Sequence, residues 1–147
     1  MPRVIEVVVN SSSGIGATEE MKQMLRNEFA NYDLEVRFHF GKNGNEVLKM
    51  ANDAAKTDAD TIAAAGGDGT ISGVATEAYR GGKKLGVIPM GTLNNFSKDL
   101  GIPQSVPEAI RVIAEGETTR IDIACANGRY FLNNSSIGLY PRIVKKR

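Results

Sequence analysis

The sequence has no tryptophan, a single cysteine and a single histidine, and no apolar run near the length of about 20 residues that a membrane-spanning helix needs. Each scarcity removes a class of function. The lone Cys125 cannot close an internal disulfide, so no secreted disulfide framework is encoded and a reducing, cytoplasmic compartment is expected. With His39 the only histidine, a multi-histidine zinc centre has no ligands and a His-centred triad is not expected. The first residues, MPRVIEVVVNSSSG, hold apolar residues for one strand and lack a longer signal-peptide core. Charge of one sign is also lacking: the formal net charge is +1, and no basic stripe is interleaved with aromatics, so nucleic acid is not an expected partner. With 147 residues, 41% apolar and 24% charged, the chain has the balance of a globular domain with a sizeable core.

VIEVVVN (residues 4–10) is a β-branched run of the kind found in a central strand buried on both faces. After a Ser/Gly turn, Met21, Met24, Leu25 and Phe29 recur at helical spacing behind Thr18, a natural N-cap, with Glu19 and Glu20 suited to the first turn. LEVRFHF alternates like a more exposed strand, and Val47, Leu48, Ala51, Ala54 and Ala55 mark a second helix, capped near Asn45. TIAAAGG leads into a third helix carrying Ile71, Val74, Ala75 and Ala78, and KLGVIP is a fourth strand. Residues 94–100 predict one or two helical turns. A firmer helix over 106–115 has Ser105 and Glu108 as a capping-box pair, Pro107 in the first turn and Gly116 as its stop. This alternation predicts an α/β fold, a three-layer α/β/α sandwich with a mainly parallel sheet. TTRIDIACA and RYFLNNSS then flank Asn127-Gly128, a hairpin signal, so an antiparallel β region opens at the C-terminus. The expected division is an α/β domain over 1–126 and the opening strands of a second, β-rich domain over 127–147.

In an open parallel sheet, ligands bind beyond the carboxyl ends of the strands. Three turns fall there, NSSSGIG (10–16), GGDGT (66–70) and PMGTLNN (89–95), all rich in Gly, Ser, Thr or Asn. Glycines let backbone N–H groups approach phosphate oxygens, and a helix beginning near Thr70 adds unpaired N–H groups. Asp68 would repel a phosphate unless a cation lies between them, and Mg²⁺, which takes a carboxylate together with phosphates, resolves the conflict. The alternative is a plain tight turn in which Asp68 caps Thr70 or the following helix. Neither G-x-G-x-x-G nor G-x-x-x-x-G-K-[ST] is present, so a dinucleotide fold and a P-loop both fit poorly.

GGDGT, followed by PMGTLNNFSKDLGIP and RIDIACANGRYFLNNSSIGL, resembles the catalytic domain of the diacylglycerol kinase family, which includes bacterial lipid kinases and the related sphingosine kinases. The resemblance covers nearly the whole chain. It implies a domain like the N-terminal domain of NAD kinases and diacylglycerol kinases, with ATP and Mg²⁺ in a cleft facing a following β-sandwich. It places Asn10, Ser11, Ser12, Ser13 and Gly14 in an N-terminal nucleotide loop, with Ser11 where the family has proline. Gly66, Gly67, Asp68, Gly69, Thr70, Ile71, Ser72 and Gly73 fall in the central ATP loop, whose usual closing Asn-Glu is Ser72-Gly73 here. Gly91, Thr92 and Asn94 form a third nucleotide-contacting turn, and Asp68 and Asp122 match acidic positions around the nucleotide's Mg²⁺. Asn95 stands where many lipid kinases have Asp, and Phe40 about where the family often has threonine. The family's general base and structural Mg²⁺ site belong to the second domain, so no catalytic residue is assigned. The implied function is transfer of phosphate from Mg·ATP to a lipid hydroxyl such as that of diacylglycerol, a step of phospholipid metabolism. An NAD kinase-like small-molecule kinase and a non-catalytic nucleotide-binding module are the alternatives.

The other candidates have plain readings. Arg120, Asp122 and Ala124 share a strand face opposite Ile121 and Ile123, which makes Asp122 alternatively a solvated carboxylate paired with Arg120. Cys125 is expected to fill apolar space, His39 to be a half-exposed strand residue, and Lys83 and Lys84 to sit in a solvated turn. Asn94 and Asn95 either cap a short helix or shape the pocket. Phe131, Leu132, Ile137, Leu139 and Tyr140 present apolar side chains with few partners in sequence, which predicts a homodimer through this segment. The terminal Lys145-Lys146-Arg147 would suit an anionic membrane surface, so peripheral membrane contact is the alternative to a purely cytoplasmic location.

Overall fold

The computed structural model of the chain describes residues 2–12, 18–116, 118–126 and 129–131. Eleven elements follow one another among them: β1 (Arg3–Asn10), α1 (Glu19–Phe29), β2 (Leu34–Gly41), α2 (Gly44–Ala54), β3 (Thr61–Gly66), α3 (Asp68–Arg80), β4 (Lys84–Pro89), α4 (Asn95–Asp99), α5 (Val106–Glu115), β5 (Ala124–Ala126) and β6 (Arg129–Phe131). The first four strands form a parallel sheet in the order β2-β1-β3-β4. On one face Val8, Ile62, Ala64 and Val87 meet Val47, Ala51 and Ala54 of α2 and Ile71, Val74 and Ala78 of α3. On the other, Ile5, Val7, Val9, Ala63, Ala65 and Ile88 meet Leu25 and Phe29 of α1 and Val106, Ile110 and Ile113 of α5. The three-layer α/β/α arrangement expected from the alternating pattern is the one observed.

The sequence explains the layering. The β1 run is buried on both faces because it is an inner strand, while β2 lies at the edge and is half-buried along most of its length, with Glu35 exposed and Gly41 buried. The middle of β3 is three alanines with no exposed surface, so helices approach closely on both sides; each large apolar side chain they seal, such as Leu25 or Phe29, contributes about 1.5–3 kcal/mol. One residue breaks the apolar rule of β1. Glu6 is 1% exposed, and its carboxylate accepts hydrogen bonds from Arg37 Nη1 (3.0 Å) and Thr57 Oγ1 (3.4 Å) and pairs with His39 Nε2. Arg37 lies opposite Glu6 in the parallel register, so the edge strand supplies the counter-charge the inner strand requires.

Several local expectations change. Thr18 caps α1 as expected, accepting from Met21 N, but α2 is capped by Asn43 rather than near Asn45; Asn43 Oδ1 accepts from Glu46 N at 2.9 Å. Ser105 stands at the N-cap of α5 without any side-chain capping bond, so the expected box with Glu108 is not made and Pro107 at the second helical position marks the start instead. Gly116 ends α5 at φ 78°, in the left-handed region that favours glycine. Residues 118–123 are not strand, and the strand near Asp122 begins only at Ala124. Ile121 and Ile123 still pack together on the α2/α3 side of the core. Cys125 is exposed rather than filling apolar space, because the short β5-β6 hairpin forms a separate two-stranded sheet. Its register sets Ala126 against Arg129, which brackets Asn127-Gly128 as the hairpin signal predicts. Lys83 is no free turn residue, since its Nζ donates to the Thr57 carbonyl at 2.7 Å. Leu132, Ile137, Leu139, Tyr140 and the terminal basic cluster lie outside the described residues, as do the domain and dimer expectations built on them.

Candidate functional site

Strand order reverses between β1 and β3, so the turns after these two strands diverge to opposite faces and leave a crevice at their carboxyl ends. A cleft of about 420 Å³ opens there, lined by Asn10, Gly44, Val47, Leu48, Gly67, Gly69, Thr70 and Gly73. The two strand ends are tied across it: Asn10 Nδ2 donates to Thr70 Oγ1 at 2.9 Å, and Asn10 Oδ1 accepts from both the N–H and the hydroxyl of Ser12. Ser11 is held to the neighbouring strand end, its N–H donating to the Gly41 carbonyl at 2.8 Å.

The floor of the cleft is the start of α3. Its N-cap is Gly67, which has no side chain to satisfy the first-turn amides, and the first helical bond runs from Ile71 N to Gly67 O. The N–H groups of the opening turn are thus aimed at the cleft with the positive end of the helix dipole behind them, an arrangement that attracts anions. Gly69 is exposed, and a Cβ added to it would meet no atom within 4 Å. The helix begins two residues before the expected Thr70.

Asp68 behaves in a way neither sequence-based alternative anticipates. It does not cap its own helix. Its two carboxylate oxygens accept from the backbone N–H groups of Asn95 (2.9 Å) and Phe96 (3.0 Å), at the start of α4, 27 and 28 residues away. The acid therefore locks the β3-α3 turn to the β4-α4 turn and has part of its charge balanced by amide donors. Each oxygen keeps a second acceptor site. The same two turns touch through bare backbone: a Cβ on Gly91 would lie 2.3 Å from Gly67 Cα. Within the β4-α4 turn Asn94 closes a local loop, accepting from Gly91 N through Oδ1 (2.9 Å) and donating to Gly91 O through Nδ2 (3.1 Å), so its side chain does not cap α4.

Of the expected nucleotide-contacting residues, Asn10, Gly67, Gly69, Thr70 and Gly73 are brought together as cleft walls. Ser12 is bonded to Asn10 beside them, and Gly66 and Ile71 are buried, with the Ile71 side chain in the core and its N–H inside the helix. Ser72 accepts a bond from Thr76 through its carbonyl, and Thr92 is exposed in the third turn. Ser13 and Gly14 lie outside the described residues. Asp122 shows the one buried side-chain polar atom without a hydrogen-bond partner among the described residues, its Oδ2, and the pairing with Arg120 is not formed. No group of three metal-ligating side chains occurs among those residues, so a cation held here would draw on one or two carboxylates and on its ligand. The opposite wall, Gly44, Val47 and Leu48, reads in sequence only as the start and apolar stripe of a helix.

Comparison with known proteins matches residues 5–126 to the family described as diacylglycerol kinase catalytic domain. A diacylglycerol kinase of Staphylococcus haemolyticus is 35% identical over 152 residues, an alignment covering 97% of this chain and 44% of that protein. One of Staphylococcus aureus is 36% identical over 149 residues, covering 97% and 46%. The crystal structure of a diacylglycerol kinase from Bacillus anthracis superposes with a TM-score of 0.77 at 30% identity, over 89% of this chain and 46% of that one. The chain thus spans somewhat under half the length of the relatives it matches.

Proposed function

Because the chain belongs to the diacylglycerol kinase catalytic domain family, we propose that it forms the nucleotide-binding part of an ATP-dependent lipid kinase, with the triphosphate seated on the first turn of α3. The observation that carries this reading is the open cleft above an uncapped helix start at the reversal point of the sheet. The Gly69 backbone amide offers a donor with no side chain in the way, and the Asn10–Thr70 bond fixes the strand end and the helix start that flank it. Phosphoryl transfer makes one P–O bond to the acceptor hydroxyl and breaks the bond to ADP, so positioning and charge neutralisation do most of the work. The acceptor is a lipid alcohol, by analogy with the diacylglycerol kinases it resembles, and its proton passes to a base outside the described residues.

Mg²⁺ fits the acids on hand. The orphaned Asp122 Oδ2 calls for a cation, a proton or a water, and Asp68 retains acceptor sites after serving α4. Asp68 or Asp122 would supply a carboxylate to the ion, which when bound offsets phosphate charge. Among the described residues no helix is long and apolar enough to cross a membrane, and contact with lipid is proposed to be peripheral.

Calorimetric titration of the intact protein with Mg·ATP tests the site. Gly69→Val adds bulk where the fold has room and only the cleft loses space. It is expected to weaken binding at least about tenfold. Unchanged affinity would remove the site, and binding without phosphate transfer to diacylglycerol would leave a non-catalytic nucleotide module.

A further inference from the structure

The β2 strand forms one edge of the sheet, in unbroken register with β1 and free of proline and of bulges. One bond fixes which way its backbone points. Ser11 N donates to the Gly41 carbonyl, so the peptide groups of Gly41 face the β1 side. Backbone groups alternate sides along a strand, so those of Glu35, Arg37 and His39 also face β1, and those of Val36 and Phe38 face outward. Among the described residues no other element bonds to the Val36 or Phe38 backbone. A row of unpaired donors and acceptors at a sheet edge invites another strand.

Charge decides which strand and in which register. The polar face of this edge runs Asp33, Glu35, Arg37, His39, two acids followed by two basic side chains, while Leu34, Val36 and Phe38 lie half-buried on the α1 face. Pair the strand with its own copy, antiparallel, about a twofold axis through Val36. Glu35 then stands opposite Arg37 of the second copy, Asp33 opposite His39, Leu34 opposite Phe38 and Val36 opposite itself. No neighbouring centre gives this match. An axis through Glu35 opposes two glutamates, and one through Arg37 opposes two arginines. An axis through Leu34 sets Asp33 against Glu35, and one through Phe38 sets Arg37 against His39 and leaves the acids without a basic partner.

We infer that β2 is a docking edge for a second copy of this chain, joined strand to strand around Val36 so that one sheet runs through both copies. The two Val36 residues exchange N–H···O bonds, and Phe38 N–H of each copy donates to the Leu34 carbonyl of the other. The Leu34 N–H stays in its own turn, donating to the Tyr32 carbonyl at 3.0 Å. Glu35 and Arg37 occupy the non-hydrogen-bonded positions, where opposed Cα atoms approach to about 4.5 Å and side chains lie closest. Arg37 Nη2 already holds its own Glu35 at 2.8 Å, so pairing closes a ring of alternating charges across the axis. The same patch serves both copies, as a closed twofold dimer requires. This surface is separate from the cleft and from the C-terminal segment, and the inference does not depend on the nucleotide reading.

Sedimentation equilibrium of the full chain is expected to show a dimer. Glu35→Arg sets like charges opposite each other at an exposed position and is expected to weaken the dimer at least about tenfold, with the fold retained by circular dichroism. Val36→Pro removes an N–H that makes no bond within its own copy and is expected to abolish association. The register is read by cross-linking in a Cys125→Ser background, which removes the exposed native thiol. Val36→Cys is expected to give a covalent dimer on mild oxidation, because opposed Cα atoms about 5.5 Å apart suit a disulfide. Leu34→Cys places its two thiols roughly 14 Å apart and should give none. A wild type that stays monomeric at high micromolar concentration, a dimer undiminished in Glu35→Arg and Val36→Pro, or cross-linking as efficient at position 34 as at 36 would overturn the inference. If Val36→Pro folds poorly, Glu35→Arg and the cross-linking pair still decide it.

Discussion

Gly67, Gly69 and Gly91 look alike in sequence, and only their surroundings separate their roles. Gly91 faces Gly67 so closely that an added Cβ would sit 2.3 Å from one backbone atom and 3.0 Å from another. Main chain cannot swing aside as a side-chain end can, so Gly91→Ala should destabilise the fold by about 1–3 kcal/mol and shift the third turn. Gly69→Ala meets nothing within 4 Å and should leave stability nearly unchanged. A urea midpoint that is equal for the two variants would refute the distinction. The same limit of sequence reading applies to Asp68. A carboxylate in a glycine turn can be recognised as unusual, but its bonds to Asn95 and Phe96 depend on two strand ends lying side by side, which spacing along the chain does not reveal.

Helix starts were legible where a single capping residue was available and ambiguous where two competed. Thr18 stands alone before α1 and caps it. Asn43 and Asn45 flank Gly44, and either could precede the apolar stripe of α2; the earlier one caps, with Glu46 Oε1 also accepting from Lys42 N at 2.9 Å to close the turn. Asn43→Ala should therefore cost about 1 kcal/mol of stability, while Asn45→Ala, within the first turn, should fall within about 0.5 kcal/mol of wild type. Chemical denaturation of the two variants decides the matter, and a larger loss at position 45 would restore the original placement. The strands were more readable than the caps because burial on one or two faces imposes a pattern over several residues. Thus β1 and β2 differ visibly in sequence, as inner and edge strands should. The apolar wall of the cleft was not readable, since Leu48 follows the same helical period as its buried neighbours and only its exposure sets it apart.

At the scale of the molecule, the sheet is held to its connections by a charge network centred on the edge strand. Arg37 reaches Glu6 in the neighbouring strand, Glu35 on its own strand and Asp58 in the segment between α2 and β3, the last at 2.9 Å. The carboxylates of Asp58, Glu35 and Glu6, in that order, raise the Arg37 guanidinium well above its usual range, and the hydrogen bond and charge of Arg37 hold the Asp58 carboxyl below the ordinary value. The sign of the pH effect follows. A carboxyl with a folded pKa below its unfolded one stabilises the fold above the unfolded value, near pH 3.9, and the contribution fades as pH falls toward and through the folded pKa. Asp58 is largely exposed, so solvent screens the pair and its effect should be small and reduced by salt. Wild type is accordingly expected to melt above Asp58→Asn near neutral pH, with the gap narrowing below about pH 4 as protonation removes the charge that the variant lacks throughout. Thermal melts of both proteins from about pH 7 to about pH 3 measure that gap. A difference that is absent at neutral pH, or that widens on acidification, would mean that the surface arm of the network does not tie the β3 connection to the edge strand and that the buried Glu6 contact alone joins Arg37 to the fold.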